Sequence, residues 1–161
     1  MQEKPVHSMQ DMEGAIGTGD ELDTLLLATL RGAFRLQQFK PGQQEAMRRV
    51  MRGLSTLLVL PTGGGKSLVY QLPAFLSTQI TIVVSPLLAL ISDQLSSLPE
   101  SLPGVTLTSN QLPHQRIAAR DKLGARDSSG AAVYRLLFVA PERLADAQFF
   151  HFLLSLPPVA G

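Results

Sequence analysis

The sequence predicts an α/β fold with a parallel sheet flanked by helices, and two observations carry this prediction. From residue 56 onward, short apolar or β-branched runs alternate with longer helix-like stretches, as in strands joined by helical crossovers. One connecting loop, PTGGGKS at residues 61–67, is rich in glycine and lies between an apolar run and a helix-like stretch. The composition agrees with a packed domain, because 45% of the 161 residues are hydrophobic and 17% are charged.

Two helices are predicted before this alternation begins. Residues 1–20 show no hydrophobic period, and we expect them to form a flexible tail ahead of a domain over residues 21–161. Leucines at three- and four-residue spacings predict a first helix that starts at Glu21. A Pro-Gly pair at residues 41–42 ends this part, and a second helix is predicted over residues 43–52.

The elements after residue 53 alternate in type. The predicted strands are short and apolar, as buried parallel strands are, and they cover residues 56–60, 81–84, 105–108 and 135–139. The predicted helices are longer, and they cover residues 66–76, 87–98, 111–123 and 142–154. Residues 124–131, GARDSSGA, are predicted to form a loop.

Charge and composition exclude several classes of function. With 14 basic and 13 acidic residues the net charge is +1, so bulk electrostatics point neither to nucleic acid nor to a membrane surface. The chain has no cysteine, which excludes disulfides and thiolate metal sites within it. It has no run of about 18 apolar residues and no signal-peptide core, so we expect an intracellular protein without a membrane span.

The PTGGGKS loop predicts a site for the phosphates of a nucleotide. Its glycines let successive N–H groups face a common centre, because no Cβ blocks the approach; they are Gly63, Gly64 and Gly65. Lys66 would supply a charge to the β- and γ-phosphates, Ser67 a hydroxyl to Mg²⁺, and Thr62 a cap or polar contact. The strict pattern G-x-x-x-x-G-K-[ST] has Leu60 at its first glycine position, so a glycine-rich turn that only happens to precede Lys-Ser is the alternative.

Four segments, in the correct order, resemble the motifs of RecQ-family DNA helicases of superfamily two. The loop without its first glycine resembles motif I, and LRGAFRLQQFKPGQQEAM at residues 30–47 resembles the motif that precedes it. TIVVSPLLALISDQL at residues 81–95 resembles motif Ia, and LLFVAPERL at residues 136–144 resembles the stretch before the DEAH box. The resemblance covers roughly residues 22–161. It implies part of a RecA-like P-loop domain that binds ATP and Mg²⁺ and acts on single-stranded or duplex DNA.

The resemblance also implies roles for individual residues on the nucleotide side. Gln43 would hydrogen-bond the adenine edge, which an amide can do because it donates and accepts at once. Lys40 would also contact the nucleotide, at a position where the family usually has an arginine packed on the adenine ring. Leu36 stands where an aromatic residue is common, and Arg35 stands where a glycine is usual.

On the DNA side, the resemblance implies contacts at three predicted strand ends. These candidates are Ser85 and Pro86, Ser109 and Asn110, and Glu142 and Arg143. Contacts of this kind reach phosphates and carry no base information. The alternative for Ser85 and Pro86 is an ordinary helix start, and the alternatives for Glu142 are a favourable helix N-terminus or a brace within the domain.

The 161 residues contain no D-E-A-H sequence, and we expect an N-terminal part that ends before the DEAH box, with the C-terminal strands of the domain missing. We expect the parent to be a 3′-to-5′ DNA helicase of recombination and repair, and this chain alone to be inactive as an ATPase. Its compartment would be the nucleus in a eukaryote, or the cytoplasm and nucleoid in a bacterium. The strand at residues 56–60 would then lack its neighbours. Another P-loop ATPase, or a non-catalytic nucleotide- or DNA-binding chain, stays open.

Overall fold

A computed structural model describes residues 19–108 and 111–156 of the chain. The elements in chain order are α1 (Gly19–Gly32), α2 (Gln43–Met51), α3 (Leu68–Leu76), β1 (Thr81–Val84), α4 (Leu88–Ser96), β2 (Gly104–Leu107), α5 (Pro113–Gly124), β3 (Leu136–Val139), a 3-10 turn (Pro141–Ala145) and α6 (Ala147–Ser155). The predicted class, α/β with a parallel sheet and helices, is confirmed. The chain forms two compact units, one through Pro73 and one from Ala74, which are described in turn.

The first unit contains α1, α2 and the glycine loop. Leucines spaced four residues apart in α1 are buried, and Ala46 and Met47 of α2 are buried as well. Asp23 of α1 accepts two hydrogen bonds from the guanidinium of Arg48 in α2, so a two-pronged ion pair joins the helices. The helix starts carry acidic residues and the helix ends carry arginine, which suits the dipole of each helix.

The predicted strand at residues 56–60 is wrong, because this segment forms no strand. A strand requires the backbone of a neighbour, and no residue of the described ranges pairs with this one. Leu57 and Val59 are 91% and 84% exposed, as expected for an apolar stretch without a sheet to enter.

The second unit is built on a three-stranded parallel sheet in the order β1-β3-β2. β3 lies in the centre and all four of its residues are buried, which explains its unbroken apolar sequence LLFV. Val84 of β1 and Leu107 of β2 both pair with Val139 of β3. All three strands therefore end at the same edge of the sheet.

Helices cover this sheet through close side-chain packing. Val105 and Leu107 of β2 share a buried cluster with Ala119 and Leu123 of α5, and Phe149 of α6 belongs to the same cluster. Gly104 permits a close approach, because a Cβ there would lie 2.7 Å from Leu98 Cδ1 and 2.9 Å from Leu95 Cδ2.

Several predicted boundaries shift in the structure. The helix predicted over residues 142–154 is instead the 3-10 turn followed by α6, because Asp146 stops the first element and caps the second. The helix predicted from residue 66 begins at Leu68, which leaves Lys66 and Ser67 in the turn before it. Residues 1–18 of the predicted tail lie outside the described residues. In the part of the chain that the structure describes, no helix is long and apolar enough to cross a membrane.

Candidate nucleotide and nucleic-acid sites

The glycine loop adopts a conformation that other residues would resist. Gly63 and Gly65 have φ angles of +75° and +77°, in the left-handed region that glycine enters without a steric penalty. A Cβ on Gly64 would lie 2.8 Å from the carbonyl oxygen of Pro61, and a Cβ on Gly65 would lie 2.5 Å from Gln43 Nε2. The loop therefore depends on glycine at all three positions, for two different reasons.

The side chain of Lys66 folds back over this loop. Its ammonium donates to the carbonyl oxygens of Leu60 at 2.8 Å and Pro61 at 3.0 Å. Ser67 follows at the start of the helical turn and is half-buried, with its side chain hydrogen-bonded to Tyr70. Burial raises the pKa of the Tyr70 phenol, and the hydrogen bond with Ser67 opposes that rise.

Gln43, the first residue of α2, contacts the loop from the other direction. Its side chain is almost fully buried, and Nε2 donates to the carbonyl oxygens of Gly64 at 3.3 Å and Gly65 at 3.0 Å. Its Oε1 accepts from the backbone N–H of Lys40 at 2.8 Å. Lys40 in turn donates from Nζ to the carbonyl oxygen of Gly63 at 2.9 Å.

These contacts orient the loop's peptide groups. In a trans peptide the C=O of one residue and the N–H of the next point in opposite directions. Because Gln43 holds the carbonyls of Gly64 and Gly65, the N–H groups of Gly65 and Lys66 face away from Gln43. Neither of these N–H groups donates to an acceptor within residues 19–108 and 111–156. Free backbone donors beside a lysine ammonium and a helix start fit a phosphate group.

The structure thus brings together most of the nucleotide-side residues predicted from sequence. Lys40, Gln43, Lys66 and the glycines form one connected group, and Thr62 lies exposed in the loop beside them. The sequence did not indicate that the carbonyls of Leu60 and Pro61 receive Lys66. Backbone acceptors leave no trace in residue identity, so no sequence signal could have revealed this contact.

The second candidate site is the edge of the sheet where its three strands end. Ser85 follows β1, Thr108 follows β2, and the 3-10 turn follows β3. The backbone N–H of Ser85 donates to the carbonyl oxygen of Val139 at 3.0 Å, so the sheet ladder extends to this residue. Residues on two adjacent strands are thereby held side by side at this edge.

Ser85 and Pro86 do not supply backbone donors here. The Ser85 N–H is already used in the sheet, Ser85 is buried, and Pro86 has no N–H. The helix α4 begins directly after them, with Leu87 as its N-cap and no side-chain cap. The first-turn N–H groups of α4 are therefore the donors that a phosphate at this position would meet.

Glu142 and Arg143 differ in what they offer at this edge. Glu142 is exposed, whereas the side chain of Arg143 is only 12% exposed. The Arg143 guanidinium donates to Asp146 Oδ2 at 2.7 Å and lies 5.3 Å from the ring centroid of Phe149. This geometry favours the bracing alternative for Arg143, since its charge is already engaged within the unit.

A further residue organises the end of β2. Gln111 Oε1 accepts from the N–H of Thr108 at 3.1 Å, and its Nε2 donates to the carbonyl oxygen of Thr106 at 3.0 Å. The Gln111 side chain therefore fixes the backbone at the end of β2, just before the two residues that follow Thr108. Those two, Ser109 and Asn110, were candidates for contacts to DNA and lie outside the described residues.

Comparisons with known proteins match most of the chain. The sequence model of the DEAD/DEAH box helicase family matches residues 40–154 of the chain. "ATP-dependent DNA helicase Q-like 5" of Arabidopsis thaliana is 39% identical over 144 residues, which cover 89% of this chain and 15% of that protein. "ATP-dependent DNA helicase Q4" of Homo sapiens is 44% identical over 128 residues, which cover 77% of this chain and 10% of that protein.

A bacterial protein is likewise similar to most of this chain. "ATP-dependent DNA helicase RecQ" of Bacillus subtilis is 35% identical over 130 residues, which cover 79% of this chain and 21% of that protein. The chain thus spans between about a tenth and a fifth of the length of these three relatives. The similarity bears on most of this chain and on a minor part of each relative.

Proposed function

The chain belongs to the DEAD/DEAH box helicase family, on its RecQ branch, and on that premise we propose that it is the nucleotide-binding part of an ATP-dependent DNA helicase. The proposed domain is the RecA-like one predicted over residues 21–161, and its first helix begins two residues earlier than predicted, at Gly19. The observation that carries the proposal is the glycine loop with its free N–H groups and the Lys66 ammonium folded over it.

In this proposal the loop binds the phosphates of MgATP. The N–H groups of Gly65 and Lys66 and the Lys66 ammonium contact the phosphates, which requires Lys66 to exchange its carbonyl partners for phosphate oxygens. The Ser67 hydroxyl would hold Mg²⁺, which supplies charge neutralisation at the phosphates when bound. Gln43 contacts adenine through the bonding capacity of its side-chain amide that is not taken up by the carbonyls of Gly64 and Gly65 and the N–H of Lys40.

Titration of the 161-residue chain with MgATP in a calorimeter tests the proposal. We expect saturable binding that Lys66→Ala weakens at least tenfold, because the substitution removes the main charge of the site. Lys122→Ala is the control, since Lys122 lies over the Tyr134 ring in the second unit and not in the loop. The proposal fails if the wild-type chain does not bind MgATP, or if both variants bind it equally well.

We further propose that the strand-end edge of the second unit contacts the phosphates of DNA. The first-turn N–H groups of α4 are the proposed donors, with Glu142 exposed nearby and Arg143 bracing the 3-10 turn. Motif resemblance supports 3′-to-5′ unwinding in recombination and repair. Partial duplexes with a 3′ or a 5′ tail, offered to the protein that carries this chain, would separate the two polarities.

A further inference from the structure

We propose that Lys40 is a positioning residue of the phosphate-binding loop, and that it affects the triphosphate through the Gly63 carbonyl and not through the adenine ring. The inference deepens the proposed function and rests on it for the nucleotide. The observation that motivates it is the 2.9 Å hydrogen bond from Lys40 Nζ to Gly63, a residue 23 positions further along the chain.

Lys40 is fixed at two points. Its backbone N–H donates to Gln43 Oε1, and its ammonium donates to the loop. Because Gln43 holds the next two carbonyls of the same loop, Lys40 and Gln43 together engage three successive glycine carbonyls. The two residues therefore restrain the backbone of the loop together.

The Gly63–Gly64 peptide group is held at both of its polar ends. Lys40 binds its carbonyl, and the Gly64 N–H donates to the carbonyl oxygen of Pro61 at 2.9 Å. Gly63 itself provides no steric restraint, since a Cβ built there would meet nothing within 4 Å. Glycine peptides reorient easily for this reason. Lys40 thus supplies a restraint that the glycine lacks, and the following N–H groups keep their direction.

The charge of Lys40 fits the same role. Within the described ranges no carboxylate forms a salt bridge with Lys40 or with Lys66. Two uncompensated ammonium groups therefore lie on the same loop, both bonded to its carbonyl oxygens. This arrangement favours a polyanion such as a triphosphate and does not depend on the identity of the base.

The first test compares Lys40→Met with Lys40→Arg in the 161-residue chain, using MgATP and MgGTP as probes. Lys40→Met keeps the length of the side chain and removes the donor. We expect it to weaken the binding of both nucleotides by the same factor, about three- to tenfold, as the loss of one solvent-exposed hydrogen bond would. Lys40→Arg keeps a donor and should recover most of the affinity.

Two results of this titration would overturn the inference. If Lys40→Met changes the ratio of the MgATP and MgGTP affinities, Lys40 contacts the base. If it leaves both affinities unchanged, the contact with Gly63 has no effect on binding.

The second test needs no nucleotide and therefore separates this inference from the proposed function. Amide hydrogen exchange over residues 61–67 of the nucleotide-free chain reports the restraint directly. We expect Lys40→Met to accelerate exchange in this segment about three- to tenfold, with Lys40→Arg close to wild type and exchange in β3 unaltered. Equal exchange rates in all three proteins would contradict the role of Lys40 even if MgATP binds.

Discussion

Arg35 holds a backbone conformation that its residue type disfavours. Its φ angle is +55°, and in the part of the chain that the structure describes it is the one residue other than glycine with a positive φ. The chain reverses here after α1, and the N–H of Leu36 donates to the carbonyl oxygen of Leu30 at 3.1 Å. The resemblance places a glycine at this position, and the backbone angle gives the physical reason for that preference. An L-residue in this region costs roughly 1–2 kcal/mol.

We predict that Arg35→Gly stabilises the chain. Relief of the left-handed strain outweighs the extra flexibility of glycine in the unfolded state, which costs about 0.5–1 kcal/mol. The free energy of unfolding should rise by about 0.5–1 kcal/mol, measured by urea denaturation. Arg49→Gly is the matched control, because Arg49 lies inside α2, where glycine should lower stability by about 1 kcal/mol. A loss of stability in both variants would refute the strain argument.

At the scale of elements, the sequence predicted whether a segment suits a helix or a strand better than it predicted which segments pair in a sheet. Residues 56–60 are as apolar as the three observed strands, and this segment is similar in length to β1 at residues 81–84. Pattern alone reports that a segment would suit a sheet; it does not report whether a neighbouring backbone is present to complete the ladder. The central strand β3 could be recognised because its four buried residues leave an unbroken apolar run.

The division between the 3-10 turn and α6 had a signal that the prediction missed. Asp146 accepts from the N–H groups of Gln148 at 2.9 Å and Phe149 at 3.4 Å, which is the geometry of an N-cap. An aspartate directly before the apolar run AQFFHFLL is a recognisable helix start. The apolar residues on both sides of Asp146 predict one continuous helix, and the cap at Asp146 divides it into two elements.

We predict that the ion pair between Asp23 of α1 and Arg48 of α2 contributes modestly to stability, and only at pH values at which Asp23 is ionised. Hydrogen bonding to Arg48 lowers the pKa of Asp23 below its ordinary value. A carboxylate with a lowered folded-state pKa stabilises the fold above its unfolded pKa of about 4, and this contribution is lost as the pH falls through the folded value. Both side chains are about a third exposed, so Asp23→Asn should cost only about 0.5–1 kcal/mol at pH 7.

Urea denaturation at pH 7, 5 and 3 measures this contribution. The difference between wild type and Asp23→Asn should be the same at pH 7 and 5, and it should narrow as the pH drops below about 4. Asp121→Asn, at an exposed position of α5, should show no such difference. A gap between wild type and Asp23→Asn that persists undiminished under acidic conditions would show that the pair acts through something other than charge.

For the molecule as a whole, the sequence predicted which residues meet at the loop but not how they meet. The resemblance to RecQ-family motifs implied that Lys40, Gln43 and Lys66 serve one site, and the structure connects them through the glycine loop. Their present partners are backbone carbonyls, whose direction follows from peptide geometry and not from residue identity. At the sheet edge the sequence located Ser85, whereas the sheet itself takes up its N–H.

Net charge limits how the whole molecule can bind DNA. The chain carries 14 basic and 13 acidic residues, so it lacks the excess of cations that drives strong nonspecific binding. The proposed contacts at the strand-end edge are backbone N–H groups, and Arg143 is engaged with Asp146. Binding of single-stranded DNA by this chain should therefore release few counterions.

We predict a shallow salt dependence for this binding. If at most about two cations meet phosphates, the slope of log K against log salt is about −1.4 or smaller in magnitude for a single strand. The affinity for an oligo-dT probe should then fall by about sevenfold or less between 50 and 200 mM salt, measured by fluorescence anisotropy of the 161-residue chain.

A pair of charge reversals tests the location of these contacts. Glu142→Lys adds a cation at the carboxyl edge of the sheet, next to the proposed contacts, and should steepen the slope by about 0.7. Glu100→Lys makes the same change in charge at an exposed residue that precedes β2, at the amino end of that strand, and should leave the slope nearly unaltered. Equal slopes in the two variants would remove the strand-end edge as the DNA-binding face, because the added charge would then act only through the net charge of the chain.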